Sequence, residues 1–223
     1  MTKKKMEIAQ KLGIKNLIVE FNEDIRHIPK EIKDFLKGLE GINVYFRLNI
    51  VPRNLKEFKK SIRYYNEYPY IISIETPNTE IQVNAARDSR VDIISFSEMH
   101  ILKTLSAGVI SLTKQNDSFI EFSLHSIMCD KKVQQSKNFR QIYKYFGKAM
   151  KNKANILVNG NFYEPYHLRH PRSLISILNT LLDVPMQQSK LFFRENVEEL
   201  LERVIRRNDK NFIENEVKLV PRD

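Results

Sequence analysis

The sequence has one cysteine and six glycines in 223 residues, and no apolar run of membrane-spanning length. With Cys129 alone, no intramolecular disulfide can form, and no zinc site can be built on paired thiolates. The glycines make neither a Gly-x-Gly-x-x-Gly run nor a Gly-x4-Gly-Lys-Ser/Thr run, so dinucleotide and P-loop sites lack their phosphate-cradling loop. No Gly-x-Ser-x-Gly elbow presents a nucleophilic serine. The longest apolar stretches fall well short of the roughly 18 residues of a membrane span. The basic start Lys3-Lys4-Lys5 has no apolar stretch behind it. The expectation is a cytoplasmic chain in a reducing compartment, away from any membrane.

Hydrophobic residues make up 42% and charged residues 29%, an ordinary globular mixture. Short apolar runs alternate with amphipathic stretches along the chain. Strands are expected at Leu17–Phe21, Asn43–Ile50, Tyr70–Glu75, Val91–Phe96, Phe119–Leu124 and Ile156–Asn159. A helical lead-in over Met6–Leu12 stops at Gly13, a helix-ending glycine. Further helices are expected at Pro29–Lys37, from Asn54 to about Glu67, from Asn78 to Arg87, and from Ser106 to about Asn116. The remaining ones run from Ser136 to Lys151, Pro171–Leu182, Met186–Phe193 and Asn196–Arg207. Six β–α units with strands buried on both faces imply a parallel sheet under helices. Consecutive units without a linker favour one α/β barrel-like domain over residues 1–208, with 209–223 a tail; an open doubly wound sheet is the competitor. In the tail, Val217-Lys218-Leu219-Val220 is either a late strand or a loose end.

The net charge is +10, and its distribution is uneven. Eight basic residues and no acidic one lie between Lys131 and Lys153. Lys137, Arg140, Lys144, Lys148 and Lys151 step by three or four, so a helix sets them in one stripe. Phe139, Ile142, Tyr143, Phe146, Ala149 and Met150 fall on the other side and anchor the helix. Like charges at i,i+4 repel by a few tenths of a kcal/mol per pair. A polyphosphate strand relieves that repulsion and releases its own counterions, so the stripe is a candidate RNA-binding ridge. The bland alternative is a solvated helix face that lacks acids. Phosphate contacts would position a partner without reading its sequence.

Four stretches, in order, carry a family resemblance. They are Val91-Asp92-Ile93-Ile94-Ser95-Phe96; Ile120-Glu121-Phe122-Ser123-Leu124-His125-Ser126-Ile127-Met128; the basic helix leading into Ile156-Leu157-Val158-Asn159-Gly160-Asn161; and Leu168-Arg169-His170-Pro171-Arg172-Ser173-Leu174 with the apolar run after it. This set resembles the archaeal ribonuclease P protein component 3 family. Ser173 stands where the family usually has Asp, and the Asn159-Gly160-Asn161 turn is more polar than usual. No counterpart of the family's first strand precedes Met6, so the barrel is expected to be open at that edge or closed by the tail. The resemblance implies a TIM-barrel-like fold in a ribonucleoprotein whose RNA cleaves the 5′ leader from precursor tRNA. The implied partners are the ribonuclease P RNA, precursor tRNA through the holoenzyme, protein component 2 and the other subunits. The chain itself would be non-catalytic, with no cofactor and no metal.

Other residues keep rival readings open. Barrels place chemistry at the C-terminal ends of strands, where Glu20, Glu75, Ser97, His125 and Asn159 fall. A metal-dependent phosphoesterase would need histidines and carboxylates to converge there, yet His27, His100, His125, His167 and His170 include no His-x-His pair. Arg169 and Arg172 flank Pro171 at a helix start, where free N–H groups favour phosphate; a salt bridge or cap is the plain alternative. Tyr163 and Tyr166, in a loop, could stack an unpaired base or pack locally. Lys56, Lys59, Lys60 and Arg63 form a smaller basic face, read as solvated. Glu195, Glu198, Glu199 and Glu202 precede Arg206-Arg207, which suits a helix dipole or a basic protein partner. A protein-binding scaffold is thus the third reading.

Overall fold

The structure, a computed structural model, describes residues 3–21, 29–39, 41–66, 68–161, 167–209, 212–214 and 217–218. Helix α1 (Lys3–Lys11) leads into β1 (Asn16–Phe21), α2 (Lys30–Lys37), β2 (Asn43–Ile50) and α3 (Leu55–Tyr64). Then come β3 (Ile71–Glu75), α4 (Thr79–Arg87), β4 (Ile93–Phe96), α5 (Met99–Leu102), α6 (Ala107–Gln115) and β5 (Phe119–Ser123). The chain continues through α7 (Lys132–Lys151), β6 (Ile156–Asn159), α8 (Pro171–Leu181), α9 (Met186–Leu191) and α10 (Glu195–Asn208). Two short strands, β7 (Phe212–Glu214) and β8 (Val217–Lys218), pair antiparallel with each other. The tail thus forms its own hairpin, and among the described residues it does not join the main sheet.

The six main strands are parallel and lie in chain order, β1-β2-β3-β4-β5-β6. A doubly wound sheet reverses order at a switch point so that helices cover both faces. This sheet never reverses, and right-handed crossovers then put every connecting helix on one side. That is barrel winding with six strands, an open half-barrel, and it removes the doubly wound alternative.

The two faces of the sheet differ. One parity of each strand, including Leu48, Ile72, Ile74, Ile94, Phe96, Ile120, Phe122, Ile156 and Val158, packs under α3 to α9 in the main core. The other parity is apolar only at the strand starts. Ile71, Ile93, Phe119 and Leu157 form a second core with Leu200 and Val204 of α10. Further along the same parity come Arg47, Asn49, Ser73, Ser95, Glu121 and Ser123, all buried. The expected burial on both faces thus holds along the sheet, but the second face is apolar only at the strand starts. The last helix plugs the bottom of the concave face, and polar side chains fill the top.

Helix α10 is held there by ions as well as by apolar contact. Asp92, fully buried at the start of β4, takes hydrogen bonds from two arginines of α10. Arg207 Nη1 reaches Asp92 Oδ1 at 2.6 Å, and Arg203 Nε reaches the same oxygen at 3.2 Å. The Ile72 amide donates to Asp92 Oδ2 at 2.8 Å. Arg207 also caps the Tyr70 carbonyl, and Arg203 the carbonyls of Ser89 and Asn116. Beyond complementing the dipole of its own helix, Arg207 carries a buried tertiary latch.

Local signals set most helix ends. Asn54, Asn78 and Ser106 accept hydrogen bonds from amides of the first turns of α3, α4 and α6. Gly13 ends α1 at φ +68°, as expected. Asp117 and Lys153 take the same left-handed position after α6 and α7 without being glycine. Several boundaries differ from expectation. Helix α7 begins at Lys132 rather than Ser136, because Gln135 donates to the Ile127 carbonyl and Asn138 to that of Ser126. Those polar tethers order a first turn that apolar periodicity does not mark. Helix α3 ends at Tyr64, and α5 is a four-residue helix with no side-chain cap and no sequence signal. Glu67 lies outside the described residues.

Candidate nucleic-acid interface

Helix α7 lies on the outer, helical side of the half-barrel. Asn138, Ile142, Phe146 and Ala149 are buried, and Phe146 packs edge-on against Phe192 at 5.7 Å between ring centres. That anchor leaves the opposite stripe in solvent. Lys137, Arg140, Lys144 and Lys151 are exposed over about 20 Å, at ~1.5 Å rise per residue. Lys144 Nζ lies 5.3 Å from the centre of the Tyr145 ring, and Arg140 Nε bonds the Ser136 carbonyl at 3.3 Å. Lys148 departs from the stripe. Its ammonium donates to the Leu105 carbonyl at 3.0 Å, which ties α7 to the loop before α6. The ridge in solvent is therefore four cations, and Lys148 belongs partly to the fold.

Arg169 and Arg172 are both exposed at the start of α8. The helix N-terminus itself is occupied. His170 Nδ1 accepts from the Arg172 amide at 3.0 Å, and the His170 carbonyl accepts from the Ser173 amide at 2.9 Å. Any anion bound here meets the guanidinium groups and not the first-turn amides. Tyr163 and Tyr166 lie outside the described residues.

The top of the concave face carries a network that the chain order hides. Arg47 bonds Glu121 Oε1, takes Glu20 Oε2 at 3.2 Å and donates from Nε to Ser73 Oγ at 2.7 Å. Asn49 donates to Glu75 Oε2 at 2.8 Å, and Ser73 Oγ donates to Asn49 Oδ1 at 2.9 Å. Ser95 donates to Glu121 Oε2 at 2.9 Å, and Ser97 to Glu75 Oε1. Both carboxylate oxygens of Glu75 and of Glu121 thus have a donor from the protein, whereas Glu20 takes one long bond from Asn49 at 3.4 Å and otherwise pairs with Arg47 by charge. Burial works against the charge of Arg47, but Glu121 and Glu20 hold its pKa above the ordinary value. Burial raises the Glu20 carboxyl above its usual 4.5, against the pull of Arg47 and with added push from Glu121 and Glu75.

Of the residues expected at strand ends, Glu20, Glu75 and Ser97 join this network. His125 begins a 3-10 turn after β5, and Asn159 ends β6. Among the described residues, no group of three or more His, Cys, Asp or Glu is arranged to hold a metal ion. Arg47, Asn49, Ser73, Ser95 and Glu121 are members of the network that sequence reasoning missed. Three carboxylates around one guanidinium make the mouth electronegative, whereas the outer helix is electropositive. No described helix is long and apolar enough to cross a membrane.

Fold and site together define a parallel α/β half-barrel with a basic outer ridge and a mouth filled by a polar, ion-paired network. Residues 1–209 match the family described as RNase P subunit p30. The chain belongs to that family. It is a subunit of ribonuclease P, acting in tRNA 5′ processing. A chain in the cryo-EM structure of archaeal ribonuclease P with mature tRNA has the same fold, with a TM-score of 0.84 at 16% identity, covering 100% of this chain and 96% of that one. A structure of Plasmodium falciparum HPPK-DHPS is similar only at a TM-score of 0.27 and 14% identity, over 84% of this chain and 40% of that one. Among curated proteins, nothing matches the sequence.

Proposed function

We propose that this chain contacts RNA through the outer face of α7 and serves ribonuclease P as a positioning subunit, not as the catalyst. The observation that carries this reading is the exposed row Lys137, Arg140, Lys144 and Lys151 on a helix whose far side is locked into the core. Its spacing suits a phosphate backbone, and its lack of acids leaves the mutual repulsion for a polyanion to relieve. Arg169 and Arg172 extend the basic surface at the start of α8. Ribonuclease P RNA is the direct partner, and precursor tRNA is met through the assembled particle, in the cytoplasm. Component 2 is the protein partner the family resemblance implies. The outward side of α10, with Glu198, Glu199 and Glu202 exposed beside Ile205, offers it a face.

The test is a filter-binding titration of ribonuclease P RNA against salt. A Lys137→Glu/Lys144→Glu variant keeps the wild-type circular dichroism and binds RNA more weakly at every salt concentration. Its slope of log affinity against log salt is shallower by about 0.7–0.9 for each phosphate that is no longer neutralised. An acidic protein serves as control ligand. Equal binding and equal slope in the variant refute the ridge. Reconstitution with the RNA and component 2, with and without this chain, then reads the contribution to precursor-tRNA cleavage.

A further inference from the structure

Outside the ridge, three helices meet around a cleft of about 530 Å³, lined by Pro171, Arg172 and Ile175 of α8, Gln187, Lys190 and Leu191 of α9, and Phe193, Arg194 and Glu195 at the turn into α10. We propose that this cleft holds one nucleotide of an unpaired RNA strand, with its phosphate among Arg172, Lys190 and Arg194 and its base against Phe193. This rests on the reading of the chain as an RNA-contacting subunit and adds a second, separate contact to it.

The turn between α9 and α10 builds the cleft. Phe192 packs edge-on against Phe146, and the next residue, Phe193, is half-buried: one part of it packs against the main core and the rest lines the cleft as an aromatic wall. Lys190 stands one helical turn before it and Arg194 directly after it. Arg172 comes from the start of α8, about twenty residues earlier in the chain. Three cations, from α8, α9 and the turn into α10, therefore share one cavity with a single acid, Glu195. The side chains of Arg172 and Lys190 have no hydrogen bond or ion pair among the described residues. Arg194 reaches Glu198 only at 3.8 Å, with both side chains largely in water. Such cations cost little to redirect onto a ligand.

The floor of Ile175, Leu191 and Phe193 gives flat apolar contact, and the volume falls in the range of roughly 300–1,000 Å³ typical of small-ligand sites. All the walls are helical or tight turn, so their backbone groups are mostly already bonded. An extended acidic peptide would find few backbone partners here. A nucleotide needs only what the side chains supply: cations for its phosphate, an aromatic face for its base, and the Gln187 amide for a base edge.

The chain contains no tryptophan, so Phe193→Trp places a single tryptophan in the cleft. The probe is a hexa-adenylate RNA at low salt, beside an abasic oligonucleotide of equal phosphate number and polyglutamate. Hexa-adenylate is expected to quench the tryptophan, whereas the abasic strand and polyglutamate leave its emission largely unchanged. Lys190→Glu and Arg172→Glu in this background weaken the quenching at least tenfold. Phe193→Leu, which keeps the packing, weakens hexa-adenylate binding by about 5- to 150-fold, the equivalent of ~1–3 kcal/mol per stacked base. Equal quenching by the abasic strand overturns the stacking, and tighter titration by polyglutamate overturns the RNA assignment. Wild-type binding by Phe193→Leu or Lys190→Glu also overturns the cleft. Lys144→Glu separates the two readings. If it lowers ribonuclease P RNA affinity while Lys190→Glu does not, the cleft alone fails; if neither does, the RNA reading itself fails.

Discussion

Replacing Arg207 by methionine should unfasten the last helix from the bottom of the half-barrel. Arg207 contacts both oxygens of Asp92, which is fully buried, and also the carbonyls of Arg90 and Tyr70. Methionine restores much of the side-chain volume but none of the charge. Asp92 would keep Arg203 Nε and the Ile72 amide, so its carboxylate is left partly and not wholly uncompensated. Removing one partner from a buried ion pair costs about 3–5 kcal/mol, and the surviving donors place this case near 3 kcal/mol. For a chain of this size, each kcal/mol lowers the melting temperature by roughly 2–4 °C, so the expected drop is about 6–12 °C. Urea unfolding followed by circular dichroism gives the free energy, and a thermal scan gives the melting temperature. An Arg203→Met/Arg207→Met double variant should lose more than Arg207→Met, and not additively, because the two residues share Asp92. A loss below about 1 kcal/mol for Arg207→Met would refute the latching of α10 across the concave face by this ion cluster.

Leu200→Ala, at the apolar centre of the same plug, should cost about 2–5 kcal/mol in urea unfolding, because Leu200 is fully buried among strand starts. Ser106→Ala should cost about 1 kcal/mol, since it removes the Oγ acceptor of the Val109 amide at the start of α6. Lys148→Ala should lower stability by about 1 kcal/mol by removing the bond to the Leu105 carbonyl, whereas Lys144→Ala should lower RNA affinity and leave the urea midpoint within experimental error. The Glu20 carboxyl sits above its usual 4.5, so the folded chain binds that proton more tightly than the unfolded chain. The stability from this group is complete below pH 4.5 and declines as pH rises through the raised value. Glu20→Gln should therefore gain on wild type as pH is raised from 4 to 7, measured by paired urea midpoints; a constant difference across that range would contradict the raised carboxyl.

Local chemistry carried much of the fold. The apolar runs that became β2 and β6, the caps Asn54, Asn78 and Ser106, and the helix-ending Gly13 need only neighbours in sequence to act, so each was legible in advance. The α7 stripe was legible for the same reason: a helix of known pitch converts spacing into a face. The mouth network left a weaker trace. Alternate residues read Tyr45-Arg47-Asn49, Ile71-Ser73-Glu75, Ile93-Ser95-Ser97 and Phe119-Glu121-Ser123, apolar first and polar after, strand upon strand. That period-two pattern marks a face that changes character along its length, but it becomes visible only when the strands are aligned side by side.

By itself the sequence determined the six main strands and most of the helices, the amphipathic basic helix, and the membership its ordered motifs carry. Tertiary structure decided the rest, because contacts between residues 26 to 115 positions apart have no local signature. Parallel register put Arg47 beside Glu121 and Ser73; the return of α10 set Arg207 on Asp92; and the packing of α8 against α9 brought Arg172 to Lys190 around one cleft. Spacing along a helix fixes directions within that helix, whereas which far side chain stands opposite depends on how whole elements are stacked.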